Sequence, residues 1–224
     1  MLNIKIDDRI KSACPQLKIG LVRASVVNRE TPDELWNEIE EATQWVRDTY
    51  ELLEINKRPG IAGTRTLYKC VGKDPNRYRG ASEALCRRLV KGLGIYRLTS
   101  LIDVVNLVSI KSGYAISGLD ADKIEGDTLT MGVGEAGEEY NGIGRGPLNI
   151  EGMPVYRDAI GGIATPTSDE ERTKFTLDTR TAQININAFA PDMPIEETVD
   201  MMAKLLEKYA SATNIETQII DFAL

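Results

Sequence analysis

The stretch SEALCRRLVKGLGIYRLTSLIDVVNLVSIKSG, Ser82–Gly113, sets the fold class, because it reads as two successive amphipathic helices. In the first, Ser82 is the expected cap, Leu85, Cys86, Leu89 and Val90 make the apolar stripe, and Gly92 is the stop. In the second, Thr99–Ser112, Leu101, Val104, Val105 and Val108 recur at helical spacing before Gly113. Upstream, LKIGLVRASVV (Leu17–Val27) is aliphatic and β-branched and reads as a buried strand. It leads to a helix with Thr31 as expected N-cap, Pro32 at the first position and Glu34 completing a capping box. Leu35, Ile39, Ala42, Val46 and Tyr50 are its core stripe. Downstream the period changes. Asp127–Gly134 and the glycine-rich EEYNGIGRGPLNIEG (Glu138–Gly152) read as short strands joined by tight turns, and QININAF (Gln183–Phe189) as a half-buried strand. A helix from about Ile195 to Ala212, carrying Val199, Met202, Leu205 and Leu206, precedes a closing strand in IETQIIDFAL (Ile215–Leu224). A helical middle flanked by strands, with no linker or repeat, specifies one α+β domain over residues 1–224.

Composition narrows the chemistry. The 224 residues include no histidine, which removes Ser-His-Asp triads, Cys-His dyads and every imidazole metal site. No D-x-D-x-D-G spacing points to calcium, so neither metal nor cofactor is expected. Cys14, Cys70 and Cys86 form no C-x-x-C pair and have no histidine base, and they read as reduced, small buried hydrophobes. No run of about 18 apolar residues would span a membrane. The start, MLNIKIDDRIKSACPQLKIG, has no apolar h-region, so a cytoplasmic protein is expected. The net charge of −7 is unevenly spread. Residues 57–111 hold twelve basic side chains against three acids, a net of +9, while the remainder carries −16. Such a segment is either a localised polyanion footprint or a solvated face balanced by acidic neighbours.

Three clusters carry polar groups suited to a site. In DPNRYRGASEALCRRLVKG (Asp74–Gly92), Arg77, Tyr78 and Arg79 immediately precede a helix start at Ser82. Guanidinium and free N–H groups there suit a phosphate or carboxylate, or else simply flank a cap. In DVVNLVSIKSGYAISGLD (Asp103–Asp120), Asn106 interrupts an apolar helical face. A buried asparagine needs partners, so it tethers a loop or faces a ligand. The loop DAIGGIATPTSDEERT (Asp158–Thr173) offers amides and hydroxyls that line a pocket or make ordinary turns.

Taken in order, Arg79-Gly-Ala-Ser-Glu-Ala-Leu-Cys-Arg-Arg, Leu101-Ile-Asp-Val-Val-Asn-Leu-Val and Asp120-Ala-Asp-Lys-Ile-Glu-Gly resemble the B3/B4 region of the bacterial phenylalanyl-tRNA synthetase β subunit. Tyr140-Asn-Gly-Ile-Gly-Arg-Gly, Val155-Tyr-Arg-Asp and Thr167-Ser-Asp-Glu-Glu-Arg-Thr are similar to stand-alone proteins of that family, and the likeness runs from about residue 15 to the end. It implies a three-layer α+β domain with mixed and antiparallel sheets packed with helices. It also implies an editing pocket for the aminoacylated 3′ end of tRNA, with no DNA or membrane partner.

Residue by residue, the family's helical asparagine matches Asn106, its preceding threonine is Val105, and its downstream histidine corresponds to Ser117. Its backbone glycine matches Gly161 or Gly162, and its hydroxyl-reading glutamate falls on Asn185 or Asn187. On this resemblance Asn106, Ser117 and Thr167 form the catalytic set. Arg77, Arg79, Ser82, Glu83, Gly161, Gly162, Ser168, Asp169, Asn185 and Asn187 form the substrate-binding set. The implied activity is trans-acting hydrolysis of a mischarged aminoacyl ester by a chain that cannot itself charge tRNA. The alternative is a non-catalytic module binding RNA, an amino acid or a nucleotide on the same fold.

Overall fold

A computed structural model describes residues 1–222. The chain runs β1 (Asn3–Ile6), α1 (Asp8–Ala13), β2 (Lys18–Ser25), α2 (Asp33–Thr49), α3 (Pro59–Cys70), α4 (Ala81–Val90) and α5 (Ser100–Ser112). It continues with β3 (Ala115–Asp120), β4 (Thr128–Val133), β5 (Asn141–Gly142), β6 (Gly146–Pro147), β7 (Pro154–Arg157), β8 (Gly162–Ala164), β9 (Thr181–Ala188), α6 (Ile195–Ala210) and β10 (Thr213–Asp221). The expected closing strand is present in β10, while Ala223 and Leu224 lie outside the described residues.

Two four-stranded sheets stack. The first, β10-β2-β9-β3, is antiparallel throughout. The second, β1-β4-β7-β8, is mixed, with β1 parallel to β4. Because side chains alternate along a strand, β2 divides its residues between two cores. Val22 and Ala24 meet Leu35, Ile39, Val104, Val108 and Met202 in a helical layer of α2, α4, α5 and α6. Ile19 and Leu21 meet Leu129, Met131, Tyr156 and Ile163 between the sheets. The layers are therefore helices, sheet, sheet, as the α+β expectation has it. α3 spans two of them, placing Ile61 in the helical core and Leu67 between the sheets. Among the described residues no helix is long and apolar enough to cross a membrane.

Several local expectations change on folding. Thr31 does not cap α2, whose N-cap is Pro32 without a side-chain bond; its hydroxyl is drawn instead to the buried Asp103 carboxylate. Ser82 lies inside the first turn of α4 rather than at the cap, which is Gly80. β9 is buried on both faces, because the second sheet covers the side that alternation alone assigns to solvent. Burial fits Cys14 and Cys86, whose thiols it pushes up, Cys14 to about 11; Cys70, however, is exposed at the end of α3. Gly113 ends α5 at φ 74, where a side chain would be strained.

Candidate functional site

Alternation along β9 sends Ala182, Ile184, Ile186 and Ala188 into the helical core and leaves Gln183, Asn185 and Asn187 between the sheets. Each of these amides is at most 2% exposed, so each needs partners. Asn187 is satisfied: its Nδ2 donates to the Ala115 carbonyl at 3.0 Å and its Oδ1 accepts from the Tyr156 hydroxyl at 2.7 Å. Gln183 Nε2 donates to Asn185 Oδ1 at 2.9 Å. Among the described residues, Gln183 Oε1 and Asn185 Nδ2 have no hydrogen-bond partner. A buried group left so costs about 1–3 kcal/mol, which a ligand or ordered water would recover.

The wall beside this pair is polar as well. Ser117 lies opposite Asn185 on β3. Its hydroxyl lies by the carboxyl of Asp169, which also accepts the Gly118 N–H at 3.0 Å. Burial pushes Asp169 up to about 7, against the pull of those two hydrogen bonds. The turn carrying Asp169 is fixed locally, since Thr165 Oγ1 accepts the amides of Thr167 and Ser168 at 3.3 and 3.1 Å. Thr167 Oγ1 meets the Tyr68 hydroxyl at 2.8 Å, and Tyr140 donates to the Ser168 carbonyl at 2.6 Å. Burial raises both phenols, so both keep their protons. The Pro166 carbonyl accepts the Ala81 amide at 2.7 Å, which docks the N-terminus of α4 on the same turn.

The structure brings Ser117, Thr167, Ser168, Asp169 and Asn185 into one wall, and it separates others. Asn106 is half-buried on α5, in the helical layer beside Asp103, whereas Ser117 faces the opposite side of β3. The sheet stands between them, so Asn106 cannot act on the same atoms. The Gly161 amide is already donated to Asp158 Oδ1 at 3.1 Å, and Arg172 grips that carboxylate with two 3.0 Å bonds. Gly162 is a packing glycine, because a Cβ there would lie 3.0 Å from the Tyr140 ring.

Glu83 is no ligand group either. It is buried under Arg65 at 2.9 Å, with Arg87 and Arg79 at 3.7 and 3.8 Å. Ser82 is buried with its Oγ unpartnered. Arg77 lines a separate open cleft of about 600 Å³ with Lys73, Tyr78, Gly134 and Glu151. There the Lys73 ammonium, its pKa lowered by burial, sits 3.9 Å over the Tyr78 ring and donates to the Asn149 and Glu151 carbonyls. Tyr68, Tyr140 and Gln183 also belong to the wall, and sequence reasoning misses them. Only Gln183 carries a signal, its two-residue phase with Asn185 and Asn187.

The model of the B3/4 domain matches residues 63–211, about two thirds of the chain. The chain belongs to the B3/4 domain family. The B3/4 match runs from within α3 through α6, holds every residue of the polar wall, and leaves β2, one of the two partners of β9, outside it. Among solved structures the chain is similar to an N-terminal fragment of the phenylalanyl-tRNA synthetase β subunit from Pyrococcus horikoshii. Identity is 15% and the TM-score 0.48, over 95% of this chain and 50% of that one, so this chain spans half its length. No curated protein matches the sequence.

Proposed function

We propose that this B3/4 domain binds the aminoacylated 3′ end of a tRNA, holds the amino-acid moiety between the two sheets, and hydrolyses a mischarged ester. The observation that carries this reading is the unpartnered pair Gln183 Oε1 and Asn185 Nδ2, an acceptor and a donor buried side by side next to Ser117 and Asp169. Such a pair reads a polar side chain, and a ligand lacking that group leaves it unsatisfied.

For hydrolysis, water attacks the ester carbonyl, a carboxylate takes the water proton, and the ribose oxygen leaves with a proton, giving free amino acid and deacylated tRNA. Asp169, held at about 7, is the group suited to take that proton at neutral pH. The Thr167 hydroxyl is the donor open to the developing oxyanion, the Ser117 hydroxyl being engaged with Asp169 and the Gly161 amide with Asp158. The ester is already activated, so positioning supplies much of the rate. A second reading, a binding module without hydrolysis, is favoured by that committed amide and by the absence of histidine.

Deacylation of a panel of correctly charged and mischarged aminoacyl-tRNAs separates the two. The proposal expects selective hydrolysis of one mischarged species, at least tenfold slower in Asp169→Asn and Asn185→Ala and unchanged in Asn106→Ala, on the far side of the sheet. Binding with no hydrolysis across the panel would establish the module instead.

A further inference from the structure

Between Pro75 and Ile102 the chain carries six basic residues and a single acid, Glu83. That acid is buried and held among Arg65, Arg79 and Arg87, so no exposed carboxylate of this segment offsets the rest. Since Arg87 turns in to Glu83 and the Leu52 carbonyl and Arg77 lines the separate cleft, the basic residues left for a cationic ridge along α4 are Arg79 before it, Arg88 in its last turn and Lys91 at its cap. At its far end the loop after α4 turns three large apolar side chains outward: Tyr96 is 71% exposed, Leu93 62% and Leu98 50%. The Arg88 guanidinium lies 5.2 Å from the Tyr96 ring centroid, and its Nε donates to the Gly94 carbonyl at 3.1 Å, which fixes the loop under the ring. Beside it a cleft of about 320 Å³ between this loop and α2 is lined by Trp36, Gln44, Arg47 and Ile95, with Glu40 as its acid. Arg97 stacks on Trp36 at 5.7 Å but is neutralised by Asp33 at 2.6 Å, so it belongs to the scaffold.

A protein partner would want this apolar loop without a one-signed ridge beside it, and a free nucleotide would not need about 15 Å of helix between its contacts. An exposed aromatic ring backed by a guanidinium group, at the end of a cationic track, suits a flexible polyanion with stackable faces. We propose that α4 and the loop Lys91–Leu98 form a docking track for a single-stranded segment of RNA, with one base stacked on Tyr96 and the backbone phosphates along Arg79, Arg88 and Lys91. The track starts where α4 docks on the Thr165–Ser168 turn, so the strand that crosses it is directed toward the polar wall. The inference rests on the RNA reading above, though not on hydrolysis.

The test is fluorescence anisotropy of a labelled single-stranded RNA, at low and physiological salt, with the wild-type chain, Tyr96→Ala, Tyr96→Trp and Lys91→Gln. The track predicts binding that weakens steeply with salt. Tyr96→Ala loses roughly 5- to 150-fold, the range for one base–aromatic stack. Tyr96→Trp keeps its affinity, and Lys91→Gln lowers the salt slope by about one. Tyr96 is exposed, so these variants fold and their circular dichroism matches the wild type. Unchanged affinity in Tyr96→Ala, with RNA still bound, would overturn the track while leaving the RNA reading standing. Absence of RNA binding by the wild type would overturn both. Concentration-dependent self-association abolished by Tyr96→Ala, with RNA affinity untouched, would make the patch a protein interface and likewise refute the track.

Discussion

Asp169 gives the sharpest quantitative handle on the wall. Its folded-state pKa is about 7 against 3.8 in an unfolded chain, because burial penalises the carboxylate. The folded protein thus holds this proton more tightly. Its contribution favours the fold fully below about pH 4, falls as pH rises, and is gone above about pH 7. Each pH unit between the two values is worth about 1.4 kcal/mol, so the window has a ceiling of about 4 kcal/mol. Asp169 keeps partial solvent access, which brings the expected effect down to the order of 2 kcal/mol. Asp169→Asn removes the titration while its amide still accepts the Gly118 N–H. Urea unfolding of both proteins at several pH values between 4.5 and 7.5 isolates this contribution, since other carboxylates cancel in the difference. Asp158 is one of these: burial pushes it up, but Arg172 and three amides outweigh that and hold it low. Relative to wild type, the variant should gain on the order of 2 kcal/mol between the lowest and highest pH. A difference that stays flat with pH would show that Asp169 is an ordinary solvated carboxylate and would remove it as the proton acceptor.

Three further substitutions test the packing that shapes the site. Glu83→Ala strips the carboxylate from under three arginines and should destabilise the fold by about 3–5 kcal/mol, read from urea unfolding. Tyr156→Phe leaves Asn187 Oδ1 buried without its donor and should cost about 1–3 kcal/mol by the same measurement, with the spectrum of the folded state retained. Gly134→Ala would set a Cβ 2.0 Å from the Ile150 carbonyl oxygen, a backbone clash that cannot relax through a side chain. It should lower the melting temperature by several degrees or more, and a neutral result would contradict the packing of that loop.

The elements legible in the sequence are those whose residues serve one neighbour. α5 is one, with a single apolar stripe and a left-handed glycine at its end; β9 shows its alternation but not that its polar face lies buried under the second sheet. α3 is not legible, because it splits its apolar residues between two cores and carries Gly60 and Gly63. A Cβ at Gly60 would lie 3.0 Å from the Gly113 carbonyl oxygen, and one at Gly63 2.6 Å from Ala190, so close approach rather than helix propensity chose them. Thr31 has the right residue type and spacing for a cap, yet a buried carboxylate seventy-two positions away competes for its hydroxyl. The site shows the same limit. Asn106 and Ser117 are eleven residues apart, and nothing in that spacing says that a sheet will stand between them. The commitment of the Gly161 amide is readable, because an aspartate three residues before a glycine is a common turn device, and Asp158 plays that part. The unpartnered atoms of Gln183 and Asn185 depend on how two sheets stack, which local pattern does not encode.

The central claim is that the polar wall at Ser117, Asp169 and Asn185 receives the aminoacyl end of the substrate. The most direct measurement is backbone and side-chain amide NMR during titration with a non-hydrolysable 3′-aminoacylamino-adenosine. The account predicts that the side-chain amides of Asn185 and Gln183 and the backbone amides of Gly118 and Thr167 shift first and furthest, and that the Asn185→Ala variant loses this response. Shifts confined to the Lys73–Tyr78 cleft, or none at saturating ligand, would contradict it.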